Sequence, residues 1–115
     1  MEIRFEKFDE NILVAHLQCY LDHSGAENFK YVLFERMQEK MTVILDLGKL
    51  VNIDSFGLDA LLATAQRACE MGSKIILACV SNDMQIVLDI TKVYKVFEVF
   101  GTVEEAIASC RKEIA

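Results

Sequence analysis

Ser55 lies in the run Asp54-Ser55-Phe56-Gly57-Leu58, where a strand-like apolar stretch gives way to apolar residues at helical spacing. A hydroxyl at a helix entrance has two chemistries open to it. It can cap the helix by accepting one of the first-turn backbone N–H groups that have no partner within the helix. It can also carry a covalent anion, because a helix N-terminus presents free N–H groups and roughly half a positive charge, which suits phosphate. The residue three positions on is Leu58, so no acidic or amide side chain reaches back to fill this entrance. The other helical stretches read differently: Ser24-x-x-Glu27, Asn82-x-x-Gln85 and Thr102-x-x-Glu105 each have the form of a capping box.

The remaining reactive side chains form no catalytic or metal-binding pattern. His16 and His23 have no cysteine or carboxylate at ligand spacing, and the cysteines at 19, 69, 79 and 110 contain no Cys-x-x-Cys pair. There is no Gly-x-Ser-x-Gly elbow to make Ser55 a nucleophile, no Gly-x-x-x-x-Gly-Lys-Ser/Thr loop and no Gly-x-Gly-x-x-Gly run. Asp22, Asp46 and Asp54 fall near strand ends, but carboxylates there need a metal or a substrate pocket to do enzyme chemistry. The expectation is a binding protein, not an enzyme, with no metal and no cofactor.

Composition narrows the class further. A chain of 115 residues, 53% apolar and 26% charged, can close one hydrophobic core, so a single domain spanning 1–115 is expected. The formal net charge of -6 argues against direct nucleic-acid binding, which rests on clustered Lys and Arg. The acidity suits a protein partner with a basic rim, or serves solubility alone. The opening Met1-Glu2-Ile3-Arg4-Phe5 lacks the flank of a signal peptide, and no apolar run reaches the roughly 18 residues of a membrane span. A cytoplasmic protein with no membrane partner follows, its cysteines acting as small unpaired core residues.

The elements that must position Ser55 follow from periodicity. A short strand over about 3–7 precedes Ile12 to Leu21, which alternates with Leu13, Ala15, Leu17, Cys19 and Leu21 on one face and His16, Gln18 and Tyr20 on a wetter one. Asp9-Glu10-Asn11 supplies the turn of an antiparallel pair. From Ser24 the stripe Ala26, Phe29, Leu33 and Met37 predicts a helix. Thr42 to Leu47 is a near-continuous apolar run, as in a central strand covered on both faces. A second helix starts near Ser55, with Leu58, Leu61, Leu62, Ala65 and Cys69 at core spacing and Gly72 as its terminator. Lys74 to Val80 is a strand, Asn82 to about Thr91 a helix, and Phe97 to Phe100 a short strand. A closing helix from Thr102 to Glu113 follows, with Val103, Ala106, Ile107, Cys110 and Ile114 on its apolar stripe. The order β-β-α-β-α-β-α-β-α implies an α/β fold with right-handed crossovers, mostly parallel pairing and an antiparallel N-terminal edge.

The segment Asp46-Leu47-Gly48-Lys49-Leu50-Val51-Asn52-Ile53-Asp54-Ser55-Phe56-Gly57-Leu58 resembles the signature of the STAS family, named for sulphate transporters and anti-sigma factor antagonists. Leu21-Asp22 resembles the family's Glu-Leu-Asp segment, and Val96 to Ala106 resembles its closing strand, polar cap and Glu-Glu-Ala. Phe56 replaces the small residue usual after the serine, Cys19-Tyr20 replaces Gly-Glu, and Asn52 is polar where a large apolar residue is common. The resemblance implies a mixed sheet of about five strands with about four helices packed on it. For the anti-sigma factor antagonist type it implies phosphorylation of Ser55, with Asp22, Asp54, Ser55, Phe56 and Gly57 forming the partner-binding surface. The alternative reading of Asp54 is a turn residue just before the helix, and Gly57 can permit close backbone approach. The implied partners are an anti-sigma factor that is itself a serine kinase, and a serine phosphatase. The unphosphorylated form would capture the anti-sigma factor and so free a sigma factor. The alternative is a structural or regulatory subunit of a larger signalling assembly, without phosphate turnover.

Overall fold

The structure, a computed structural model, describes residues 2–92 and 95–114. Its elements are β1 (Glu2–Asp9), β2 (Ile12–Leu21), α1 (His23–Arg36), β3 (Thr42–Ile53), α2 (Ser55–Glu70), β4 (Lys74–Ala78), α3 (Asn82–Thr91), β5 (Glu98–Phe100) and α4 (Val103–Ile114). They form a five-stranded sheet in the order β1-β2-β3-β4-β5. The first pair is antiparallel and the rest are parallel, as the sequence order implies. The β1–β2 turn is tightened where the Asn11 N–H donates to Asp9 Oδ1 at 2.8 Å.

Helices cover both faces. On one face Leu13, Ala15, Leu17 and Leu21 of β2 and Val43, Leu45 and Leu47 of β3 pack against Phe29 and Leu33 of α1 and Ala60 and Leu61 of α2. Met84 and Leu88 of α3 join the same core. Phe29, Leu33, Leu61 and Leu88 are wholly buried, and each such side chain stabilises the fold by roughly 1.5–3 kcal/mol. On the other face Ile12, Val14, Ile44 and Ile76 meet Ala106 and Cys110 of α4. The second face of β2 is therefore wet only beyond Val14, because α4 lies over its first half.

Three further expectations change. β3 runs on past Leu47 to Ile53, whereas β4 pairs with it only from Thr42 to Asp46, so among the described residues its last seven overhang with β2 alone as a strand neighbour. Cys69 is exposed, because the buried row of α2 in its last turn passes through Ala68. Cys110 is buried and Cys79 half-buried, so only part of the expected cysteine core exists among the described residues. The expected inward roles of the Cys19 and Ile114 side chains lie outside the described residues. Gly72 does follow α2 with a φ of +70°, the left-handed conformation that ends helices.

Candidate functional site

Leu21 of β2 and Ile53 of β3 are register partners, so the two parallel strands end side by side and release α1 and α2 from the same edge. Each helix is entered through an aspartate. Asp22 caps α1: its Oδ1 accepts the N–H groups of Ser24 at 3.1 Å and Gly25 at 3.3 Å, and the Ser24 hydroxyl at 2.7 Å. The Ser24 hydroxyl is the main reason the Asp22 carboxyl is held below its ordinary pKa, partial burial opposing it and the two N–H groups adding to it. Asp54 caps α2 and divides its two oxygens. Oδ1 accepts the Gly57 N–H at 2.9 Å, and Oδ2 accepts the N–H of His23, the first residue of α1, at 3.1 Å.

Two expectations about this entrance are thereby corrected. The cap of α2 is Asp54, not Ser55, and the entrance is partly filled by a carboxylate rather than left open. α1 and α3 are likewise capped one or two residues earlier than the box patterns suggest, by Asp22 and Ser81 instead of Ser24 and Asn82. Thr102 behaves as expected, its hydroxyl accepting the Glu105 N–H at 3.1 Å.

Ser55 occupies the first helical position and is exposed. Its backbone N–H and that of Phe56 are not among the groups that Asp54 accepts. Phe56 is 57% exposed and rests on the His23 ring, with 5.6 Å between centroids. Tyr20 and Val51, near the ends of β2 and β3, also leave large apolar surface in solvent. Gly57 is buried and admits no side chain: a Cβ there would stand 2.1 Å from the Leu21 carbonyl oxygen and 2.7 Å from Ile53 Cγ1. Its smallness lets the first turn of α2 dock on the strand ends, in keeping with the close approach expected of it. The edge thus brings Asp22, Asp54, Ser55, Phe56 and Gly57 together. Among them Ser55 and Phe56 are the exposed side chains.

A second polar group was not anticipated. Register places His16 opposite Asp46. His16 Nδ1 lies 2.6 Å from Asp46 Oδ2, and His16 Nε2 lies 3.1 Å from Glu6 Oε2. The Gly48 N–H donates to Asp46 Oδ1 at 3.0 Å. Burial alone would raise the Asp46 pKa, but the Gly48 N–H, His16 and the Cys79 thiol outweigh it and hold the carboxyl below its ordinary value. The same proximity, after burial, pushes the Cys79 thiol up. The available signal was the wetter face of β2, which carries His16 beside the only carboxylate within β3.

Among the described residues no cluster could hold a metal ion, and no helix is long and apolar enough to cross a membrane.

The model of the STAS domain matches residues 6–106, nearly the whole chain and both ends of the edge just described. The chain belongs to the STAS domain family. Within that family it is 27% identical over 110 residues to the Bordetella bronchiseptica protein named as anti-sigma factor antagonist BtrV, a match covering 95% of this chain and 94% of that one. Its fold superposes on SpoIIAA, an anti-sigma factor antagonist, in the unphosphorylated form with a TM-score of 0.79 at 21% identity, covering 96% of this chain and 97% of that one. The phosphorylated form of the Bacillus protein gives 0.69 at 22% identity, over 95% and 99%. A sulfate transporter family protein of Wolinella succinogenes superposes with a TM-score of 0.82 at 18% identity, over 95% and 92%. The fold is thus shared between proteins with different described roles, and the local site must carry the functional argument.

Proposed function

We propose that this STAS domain is a cytoplasmic anti-sigma factor antagonist switched by phosphorylation of Ser55. The observation that carries the reading is the placement of Ser55: exposed, in the first turn of α2, beside a cap that spares its hydroxyl, and next to the exposed Phe56. Likeness to BtrV across almost the whole chain supports it. In the unmodified form, Phe56 and the neighbouring Tyr20 and Val51 offer apolar surface around a neutral hydroxyl. An anti-sigma factor that is also a serine kinase binds there, and its capture frees a sigma factor. A serine phosphatase resets the switch. The chain acts by binding and has no catalytic role of its own.

Charge sets the sign of the switch. A phosphate adds about -1.5 to -2 charges beside Asp54 and Asp59, on a chain of net charge -6. Within the fold the helix N-terminus offsets part of that repulsion, by roughly 0.3–1 kcal/mol for an exposed anion. At an interface the same group must be desolvated against a partner built for a neutral serine, which costs several kcal/mol. Phosphorylated Ser55 is expected to bind the anti-sigma partner at least about tenfold more weakly, roughly 1.4 kcal/mol, while the melting temperature changes little. Ser55→Ala keeps binding and escapes the kinase. Calorimetric titration of the unmodified, phosphorylated and Ser55→Ala forms tests this. Equal or tighter binding by the phosphorylated form rejects the switch and favours a subunit that reads the phosphate within a larger assembly.

A further inference from the structure

A cleft of about 420 Å³ lies between β1 and α4, on the face of the sheet opposite α1 and α2. That volume falls within the roughly 300–1,000 Å³ typical of small-ligand sites. Its walls are apolar, formed by Phe8 and Val14 on the sheet side and Val103 and Ile107 of α4. A second hollow of about 390 Å³ shares Phe8, Glu104 and Ile107 and continues the apolar surface along α4 as far as Arg111. The floor is the linked group His16, Asp46 and Cys79. The cleft is therefore amphipathic.

Charge selects the occupant. Glu6, Asp46 and Glu104 line the cleft, and among the described residues no lysine or arginine does; Arg111 lies at the far end of the second hollow, its guanidinium 4.7 Å from the Phe8 ring centroid. His16 faces carboxylates through both ring nitrogens, and even as an imidazolium together with Arg111 it leaves the two joined hollows with more negative than positive charge. A hydrated metal ion is a poor match for walls of Phe8, Val103 and Ile107, which favour a cation able to bring its own apolar surface. We propose that this cleft binds a small organic cation, an ammonium group on a short apolar tail, with the head between Glu104 and Asp46 and the tail along Phe8 and Ile107. The site is separate from Ser55 and stands or falls independently of the switch.

The probe is phenethylammonium chloride, titrated into the isotopically labelled full chain at constant ionic strength and followed by amide chemical shifts. 2-Phenylethanol and 3-phenylpropionate serve as neutral and anionic counterparts of similar shape. Saturable shifts are expected for the ammonium compound at β1, Asp46 and the first turns of α4, with the alcohol and the acid at least about tenfold weaker. Glu104 is exposed at the start of α4, so Glu104→Gln tests the head-group contact without disturbing the core. It should weaken the ammonium compound severalfold and leave the alcohol unchanged, and Glu104→Lys should abolish the preference for the cation. Failure to saturate, equal binding of the alcohol or the acid, or an ammonium affinity indifferent to Glu104→Lys each overturns the proposal.

Discussion

The entrances to α1 and α2 share one local pattern, Asp22-His23-Ser24-Gly25 and Asp54-Ser55-Phe56-Gly57, yet they treat their serines in opposite ways. In α1 the serine is the second helical residue, and its hydroxyl donates to the capping carboxylate at 2.7 Å. In α2 the serine is the first helical residue, and the cap spends its oxygens on the Gly57 and His23 N–H groups. Serine content says nothing about which hydroxyl is available for modification. A shift of one position within the same turn decides it.

The comparison can be broken at several points. Gly57→Ala should have the largest effect, because its Cβ would meet backbone at Leu21 rather than a flexible side-chain end. Such overpacking costs about 1–3 kcal/mol, read as a lower denaturant midpoint at unchanged slope. A neutral Gly57→Ala would mean that the first turn of α2 does not dock as described.

Asp54→Ala comes next, at about 1–2 kcal/mol for a lost cap with its second acceptor. Its signature is the range of the damage. Amide exchange should quicken at both Gly57 and His23, whereas Asp22→Ala should quicken Ser24 and Gly25 and leave Gly57 protected. Exchange confined to α2 in Asp54→Ala would remove the coupling between the two entrances.

Acid stability gives a smaller effect of defined sign. The carboxyls of Asp22 and Asp46 have lower pKa values folded than the unperturbed value near 3.8. Their contribution is therefore present above that value and is lost as pH falls through the folded ones. Ser24→Ala removes the main cause of the Asp22 shift, and Asp46→Asn removes that group altogether. Each should flatten the decline in melting temperature below about pH 4 relative to the parent. An unchanged acid limb in Ser24→Ala would contradict the hydroxyl contact.

Ser55→Ala should be the mildest change, within about 0.5 kcal/mol of the parent, since an exposed first-turn side chain outside the cap contributes little. A loss matching that of Asp54→Ala would restore Ser55 as the true cap and weaken its reading as a switch.

Element order, the antiparallel edge and the limits of β2 and α3 were legible because each rests on local periodicity and turn residues. The cap assignments were misplaced because Asp, Ser and Asn cap almost equally well, and Asp22 beside Ser24, or Ser81 beside Asn82, cannot be ranked without the backbone angles. Cys69 was misjudged for a related reason, since its spacing from Ala65 fits the apolar stripe while the buried row of α2 passes through Ala68. The edge holding Asp54, Ser55 and Gly57 was legible from one contiguous motif. The pairing of His16 with Asp46 was not, because thirty residues separate them and only the β2–β3 register brings them together. That Gly57 avoids the carbonyl of Leu21 is equally a fact of three dimensions.

The overhang of β3 has a consequence for solubility. From Leu47 to Ile53 one side of this strand has no strand neighbour among the described residues, and such an edge is a template for pairing with another molecule. Two devices oppose it. The register against β2 shifts twice, between His16 and Gln18 and between Cys19 and Tyr20, with the extra residues on β3, which twists the edge away from the flat geometry that stacking requires. Ser81, Asp83 and Met84 at the start of α3 then stand beside Val51 and Asn52, placing a helix entrance and a carboxylate where an incoming strand would have to lie. The length that carries Ser55 out past β4 is thus also the length most in need of protection from self-association, and α3 guards it.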